Sequence, residues 1–347
     1  MPKIVYKSRR LDVIRPTLDR VIDAYLQNPG STRQRIADIC SVSKTTVCKV
    51  ASALTECGFA SERIYANSGE RPARHLFATE DMNIMLIDVS SAHYTISIVS
   101  TGYCCLFHQG YSYDSAESFE NNLNLFLSKC GYLARKCAKP YTTIAVIYAD
   151  MPSDQSAFPT EGCAYLPSTQ DKSLMDEMIH SVFHRYPDYY VGTSEAVHNA
   201  LKYSLIPLSS DRYGLAYIFA GSYVSSFFVD PSGVQFCNAG SLIVDGVTAS
   251  RLLAHPKSTD DINRAVSHLV NFMTCAFGAC SCIIESDSLV LNDATAQSIC
   301  RTLAKAGELA PNLILTSASP SVKHKGAVAY VLARTVKRFI IASDEKK

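Results

Sequence analysis

Ser43, Lys44, Thr45, Thr46, Lys49 and Ser52 are small or basic, and no acid interrupts them. On a helix starting at Ser43 they lie outward, while Val47, Val50, Ala51 and Leu54 fall on the opposite face. That composition suits the major groove of a duplex. Small side chains let the helix approach, hydroxyls and ammonium groups meet base edges, and the lack of carboxylates avoids repulsion by the phosphates on both walls. Glu56 appears only at the far end, where such a helix leaves the groove.

The elements that must present this face are readable around it. Residues 16–28 predict a helix with Pro16 near its first turn, Leu18, Val21, Ile22, Tyr25 and Leu26 on one side, and Asn28-Pro29-Gly30 as its stop. Ser31 with Gln34 three residues on has the pattern of a capping box, opening a short helix that buries Ile36, Ala37 and Ile39. Ser41-Val42 makes a tight turn, Ser43 caps the third helix, and Gly58 ends it. A short helix, a tight turn and a longer helix predict a helix-turn-helix whose second helix enters the groove. Residues 59–65 and 75–77 can then pair as a hairpin with a polar tip at residues 66–74. This predicts a wing, from which Arg71 and Arg74 would reach phosphate or the minor groove, while Arg33 would hold phosphate beside the second helix.

Charge is distributed in the same sense. The 347-residue chain has a formal net charge of +1, but thirteen Lys/Arg against eight Asp/Glu through Glu80 give that part +5 and leave the rest at −4. A basic head on an acidic body suits a head that meets polyanion. With 47% apolar and 19% charged residues the chain can bury sizeable cores and is not a disordered polymer. Its N-terminus runs into Lys7, Arg9 and Arg10 without an apolar leader segment, and no apolar run nears the roughly 18 residues that cross a bilayer. Thirteen cysteines form an odd, irregular set in largely apolar surroundings, which argues for a reducing cytoplasm and not for a disulfide framework. Cys280 and Cys282 fall in an apolar run without a second pair or a nearby His, so a buried strand is expected there and no metal or cofactor.

From about residue 80 the pattern becomes α/β. Strands are expected within 83–100, 103–107, 143–148, 189–191, 215–220, 225–229, 278–284 and 312–315. Helices are expected at 115–137, 174–186, 194–203, 260–276, 295–306 and 326–336. Hairpins followed by helices, repeated once, predict two α/β lobes with mixed sheets.

This order of elements resembles the ROK family of repressors, open reading frames and kinases over essentially the whole chain. The resemblance implies a winged head at 1–79 and, at 80–347, a two-lobed actin-like, sugar-kinase-like (ribonuclease H-like) body. Its lobes would be about 80–192 with the C-terminal helix, and about 193–325. The family's Asp-x-Gly-Gly-Thr phosphate loop corresponds to Asp88-Val89-Ser90-Ser91-Ala92, which keeps only the Asp. Its Asn-Asp-Ala-Asn stretch, which holds the catalytic base, corresponds to Ser194-Glu195-Ala196-Val197. The second phosphate loop, Gly-Thr-Gly-Ile-Gly, becomes Gly221-Ser222-Tyr223-Val224-Ser225. The sugar-contacting Gly-Glu-x-Gly-His becomes Gly240-Ser241-Leu242-Ile243-Val244, and no zinc-binding Cys cluster follows.

Each departure removes kinase chemistry. Glycines let a backbone approach phosphate and present N–H groups to it, whereas Tyr223 and Ser225 place side chains there. A Glu in place of an Asp displaces the carboxylate by ~1 Å, enough to disable a general base. The expectation is therefore a catalytically silent regulator that binds an operator in double-stranded DNA, most simply a homodimeric repressor. On one reading Asp88 caps or braces its own turn, and Glu195 is a helix N-terminal carboxylate. Alternatively both line a cleft with His198, Gly221, Tyr223 and Ser241 and receive a sugar or sugar-phosphate effector. An active sugar kinase with an appended head and a body that serves only for dimerisation are the competing readings.

Overall fold

The computed structural model describes residues 17, 19–28, 30–56, 60–65, 73–78, 82–91, 93–114, 116–137, 141–149, 169–203, 205, 214–220, 224–230, 233–237, 239–254, 256–279, 281–286, 293–305, 311–316 and 321–345. At the N-terminal end three helices, α1 (residues 19–27), α2 (Arg33–Cys40) and α3 (Lys44–Glu56), close around one core. Val21, Ile22 and Tyr25 enter it from α1, Ile36, Ala37 and Cys40 from α2, and Val47, Val50, Ala51 and Leu54 from α3.

Two local expectations are corrected. Thr32, not Ser31, caps α2, its Oγ1 accepting from the Arg35 N–H at 3.1 Å. Gln34 therefore completes no capping box and donates instead to Asp38. Ile36 and Ala37 are buried as expected, but Ile39 is 48% exposed and Cys40, one turn on from Ile36, takes the third core position. The turn rests on Ser41, which has a left-handed φ of 51°, and Ser43 Oγ accepts from the Thr46 N–H at 3.2 Å to start α3. β1 (Ala60–Tyr65) and β2 (Ala73–Ala78) follow as an antiparallel pair in register from Ala60↔Ala78 to Tyr65↔Ala73. Of the expected hairpin tip at 66–74, residues 73 and 74 belong to β2, and 66–72 lie outside the described residues.

Two five-stranded sheets make the rest. The first contains β3 (Asn83–Asp88), β4 (His93–Ser100), β5 (Cys105–Ser112), β6 (Thr143–Tyr148) and β7 (Tyr189–Gly192), in the order β5-β4-β3-β6-β7. The second contains β8 (Leu215–Ala220), β9 (Val224–Asp230), β10 (Gly233–Cys237), β13 (Ser281–Glu285) and β14 (Asn312–Thr316), in the order β10-β9-β8-β13-β14. In each, an antiparallel meander of three strands is extended by two parallel strands, so one topology occurs twice. A short β11 (Ile243–Val244) pairs with β12 (Val247–Thr248) outside both sheets. β10 was not among the expected strands, because a five-residue edge strand with Gln235 and Phe236 exposed carries little apolar alternation.

Helices cover both outer faces. On the first sheet α4 (Phe119–Phe126), a π-helical turn (Leu127–Gly131), α5 (Tyr132–Lys136) and α6 (Thr169–Phe183) bury Leu123, Phe126, Met175 and Ile179. On the second, α8 (Ala249–Ala254), α9 (Thr259–Phe277) and α10 (Asp293–Lys305) bury Leu253, Leu269, Met273 and Ile299. Ser258 and Asp261 form a reciprocal cap on α9, whose end turns on Gly278 at φ 67°.

Between the two sheets lie α7 (Thr193–Lys202) and α11 (Val322–Glu345). Ala327, Val328 and Val331 of α11 pack on Leu86, Ala145 and Ile147 of the first sheet, and Val197 and Ala200 of α7 pack with Tyr217, Phe219 and Ile283 of the second. The two helices meet at Gly326, where any Cβ would overlap the Ala196 carbonyl. α11 extends beyond the expected 326–336 at both ends. Its polar first turn concealed its start, and that turn is buried.

Candidate functional site

On α3, Lys44, Thr45, Lys49 and Ser52 are exposed, as is the cap Ser43. Thr46 is half-buried and its hydroxyl lies 2.9 Å from that of Ser43, so it belongs to the helix start. Arg33 points elsewhere. Its Nε donates to Glu62 Oε1 at 2.7 Å, a second guanidinium nitrogen contacts the same oxygen, and both side chains are 16% exposed. This pair ties α2 to β1 and engages the cation within the protein. Arg74 lies opposite Ile64 in the hairpin, and Arg71 is outside the described residues.

The second concentration of chemistry lies where the sheets approach. β3 ends on Asp88, from the central strand of the first sheet, and β13 ends on Glu285 in the second. Lys323, in the first turn of α11, places Nζ 3.0 Å from Asp88 Oδ2 and 3.7 Å from Glu285 Oε1. The same ammonium donates to Ser90 Oγ at 2.9 Å. Ser90 in turn donates through its hydroxyl (2.6 Å) and its N–H (3.0 Å) to Asp88 Oδ1. His324 Nε2 lies 3.0 Å from Asp88 Oδ2, and Tyr217 donates to Glu285 Oε2 at 3.0 Å. All these groups are buried. Burial by itself would raise the Asp88 pKa; the Lys323 ammonium, followed by His324 and Ser90, overcomes it and holds the carboxyl well below the usual carboxylate range.

Asp88 is thus the brace of a network joining two sheets and a helix. Its carboxylate oxygens are already engaged by Lys323, His324 and Ser90. The other cleft candidates do not join it among the described residues. Glu195, in the first turn of α7, acts electrostatically on Tyr330 of α11. His198 is half-buried on α7, its pKa lowered by burial and by Lys202. Ser241 is exposed in a 3-10 turn (Ala239–Ser241), and Gly221 and Tyr223 lie outside the described residues. Cys282 sits in the core of the second sheet, where burial pushes its thiol up to about 12, while Cys280 lies outside the described residues.

Lys323, His324, Glu285, Ser90 and Tyr217 were not singled out from the sequence. One signal was present: Lys323-His324-Lys325 stands directly before the apolar helix pattern. Cations at a helix N-terminus oppose the macrodipole. Their presence there calls for an anion close by.

The N-terminal helices are joined to this body through α1. Asp23 accepts from Lys202 Nζ and from the Tyr203 hydroxyl, each at 2.7 Å, and Asp19 pairs with Lys337 of α11 at 3.0 Å. Leu26 packs against Ala329 and Ala333. α11 therefore begins in the buried ion network and continues to the contact with α1. No helix among the described residues is long and apolar enough to cross a membrane.

No protein-family model matches the sequence, and no curated protein sequence matches it. Among solved structures the chain is similar to a ROK family transcriptional regulator described as a homologue of the E. coli MLC protein. The two are 13% identical with a TM-score of 0.61, covering 94% of this chain and 97% of that one. It is also similar to the inorganic polyphosphate/ATP-glucomannokinase of Arthrobacter sp. strain KM. There the identity is 11% and the TM-score 0.51, covering 73% of this chain and 99% of that one. At these identities the likeness is one of fold, an α/β architecture shared with that regulator and that kinase.

Proposed function

We propose that this chain is a DNA-binding transcriptional repressor, with a winged helix-turn-helix head at 1–79 carried on a catalytically silent, sugar-kinase-like body at 80–347. The observation that carries the reading is the outward face of α3. Ser43, Lys44, Thr45, Lys49 and Ser52 are all in solvent at the start and along a helix with no acid in its first turn, and Val47, Val50 and Ala51 between them enter the head's core. The second helix of such a pair is the one that enters a major groove. The coverage of a ROK transcriptional regulator over 94% of the chain supports the same assignment.

Silence of the body rests on Asp88. A carboxylate that is to hold a metal–phosphate group needs free oxygen lone pairs, and here Lys323, His324 and Ser90 engage them. With the two phosphate-loop glycines replaced by Ser90 and Ser91, the backbone is less able to approach an anion. The body's remaining roles are homodimerisation, so that two heads read a two-fold operator, and reception of a sugar or sugar phosphate between the lobes. The cytoplasm is the compartment that fits.

Selection of bound duplexes from a random pool tests the reading, followed by affinity measured against salt. The expected outcome is an enriched two-fold site, bound with a steep inverse dependence on salt. Failure to enrich any duplex would overturn it. A coupled ADP-release assay over common hexoses is expected to show no turnover, and turnover would restore the kinase reading.

A further inference from the structure

Away from the buried ion network, α6, β7, the 186–188 turn and α11 border an open surface pocket of about 310 Å³, lined by Lys172, Asp176, residues 186–190, Tyr330 and Arg338. We propose that it is a binding site for an organic phosphomonoester. Its size falls at the lower end of small-molecule sites. The placement of the charged groups selects the ligand. Asp176 accepts from the Tyr190 hydroxyl at 2.6 Å, and Asp188 accepts from the Ile144 N–H at 2.9 Å and from Arg185 at 3.4 Å, so both carboxylates, though still charged, are hydrogen-bonded within the protein.

The two cations are not. Among the described residues neither Lys172 nor Arg338 has a carboxylate partner. Each is laid on a tyrosine ring: Lys172 Nζ 4.8 Å from the Tyr190 centroid and the Arg338 guanidinium carbon 4.6 Å from that of Tyr189. The rings are fixed in turn, since the Tyr189 hydroxyl lies 2.9 Å from Thr335 Oγ1 and the Tyr190 hydroxyl is held by Asp176. Two cations laid on fixed rings and in no ion pair with the pocket's carboxylates offer a preorganised pair of anion donors. A planar guanidinium fork with an ammonium point charge matches the oxygens of a phosphoryl group. Tyr186, Pro187 and Tyr330 add apolar wall for the organic part of the ligand. Arg338 is next in sequence to Lys337, which pairs with Asp19 of α1. Occupancy would therefore bear on the last turns of α11 where the N-terminal helices are attached.

The test is calorimetric titration of the full chain at low ionic strength with phenyl phosphate, inorganic phosphate and benzoate, and it involves no DNA. Phenyl phosphate is expected to bind more tightly than either other probe. Lys172→Ala and Arg338→Ala are each expected to weaken it about tenfold or more, as loss of a charge-assisted hydrogen bond does. Both side chains are exposed, so the variants should keep the parent melting temperature. No heat from phenyl phosphate at millimolar concentration, or binding that survives both substitutions, overturns the site. Benzoate binding as well as phenyl phosphate, or inorganic phosphate equalling it, overturns the phosphomonoester assignment.

Discussion

Lys323 Nζ lies 3.0 Å from Asp88 Oδ2, with both side chains at most 6% exposed, and so fastens the first turn of α11 to the end of β3. Glu285 stands 3.7 Å from the same ammonium on the other sheet. A buried ion pair contributes little over a well-packed apolar replacement, yet removing one partner strands the other and costs about 3–5 kcal/mol. Lys323→Met should therefore lower the unfolding free energy by about that amount in urea titration. Replacing all three groups together, Lys323→Met with Asp88→Asn and Glu285→Gln, should recover much of the loss. A single Lys323→Met variant as stable as the parent would contradict the network's role.

Acid should expose the same network. The folded-state pKa of Asp88 is lowered relative to the unfolded chain, by Lys323, His324 and Ser90 acting against burial. The carboxylate therefore contributes stability in full above its unfolded value of about 3.9, and that contribution is lost progressively as pH falls below it. Stability measured between about pH 5 and pH 2.5 should fall more steeply for the parent than for Asp88→Asn. Equal slopes would show that Asp88 is not ionised in the folded protein.

How much of this was readable follows from how each residue is held. The three N-terminal helices and most strands of both sheets were expected because their burial leaves a pattern: Val47, Val50, Ala51 and Leu54 repeat at helical spacing, and the inner strands form apolar runs. The Ser31-to-Gln34 pattern misplaced the α2 cap by one residue because two hydroxyl residues stand side by side, and only packing decides between them. Arg33 read as a phosphate ligand because a lone basic residue in a sequence does not disclose its partner Glu62 on another element. The ion network was illegible for the same reason: Asp88, Glu285 and Lys323 are far apart in the chain and meet only once both sheets are built.

The crossing of α7 and α11 gives a steric prediction. Gly326 admits the Ala196 carbonyl at a distance no Cβ would allow, and the obstacle is backbone, so no side-chain rotation relieves it. Although alanine favours helix intrinsically by about 1 kcal/mol, Gly326→Ala should destabilise the body by about 1–3 kcal/mol through forced separation of the helices. A melting temperature that rises in Gly326→Ala would mean that the helices cross less closely than described.

Asp23 attaches α1 to the body through Lys202 and Tyr203, both at 2.7 Å. Asp23→Ala should cost about 1 kcal/mol, since the contact is only partly screened from water. Its clearer consequence is local. Amide hydrogen exchange should quicken in the N-terminal helices while β3 and β6 keep their protection. Uniform loss of protection across both sheets would show instead that Asp23 supports the whole fold.

Lys49 and Arg33 separate the DNA reading from a structural one. Lys49 is exposed on α3, whereas Arg33 is bound to Glu62. On the proposed function, Lys49→Ser should weaken duplex binding and reduce the slope of log affinity against log salt by about one, the signature of one lost phosphate contact. Arg33→Ala should keep the parent slope, because its guanidinium is turned to Glu62, and should lower the stability of the N-terminal helices by about 1–3 kcal/mol on leaving that carboxylate half-buried. If Arg33→Ala instead lost a unit of salt slope at unchanged stability, Arg33 would be a phosphate contact that changes partner on binding. If Lys49→Ser left affinity and slope intact, the outward face of α3 would not be the surface that meets the duplex.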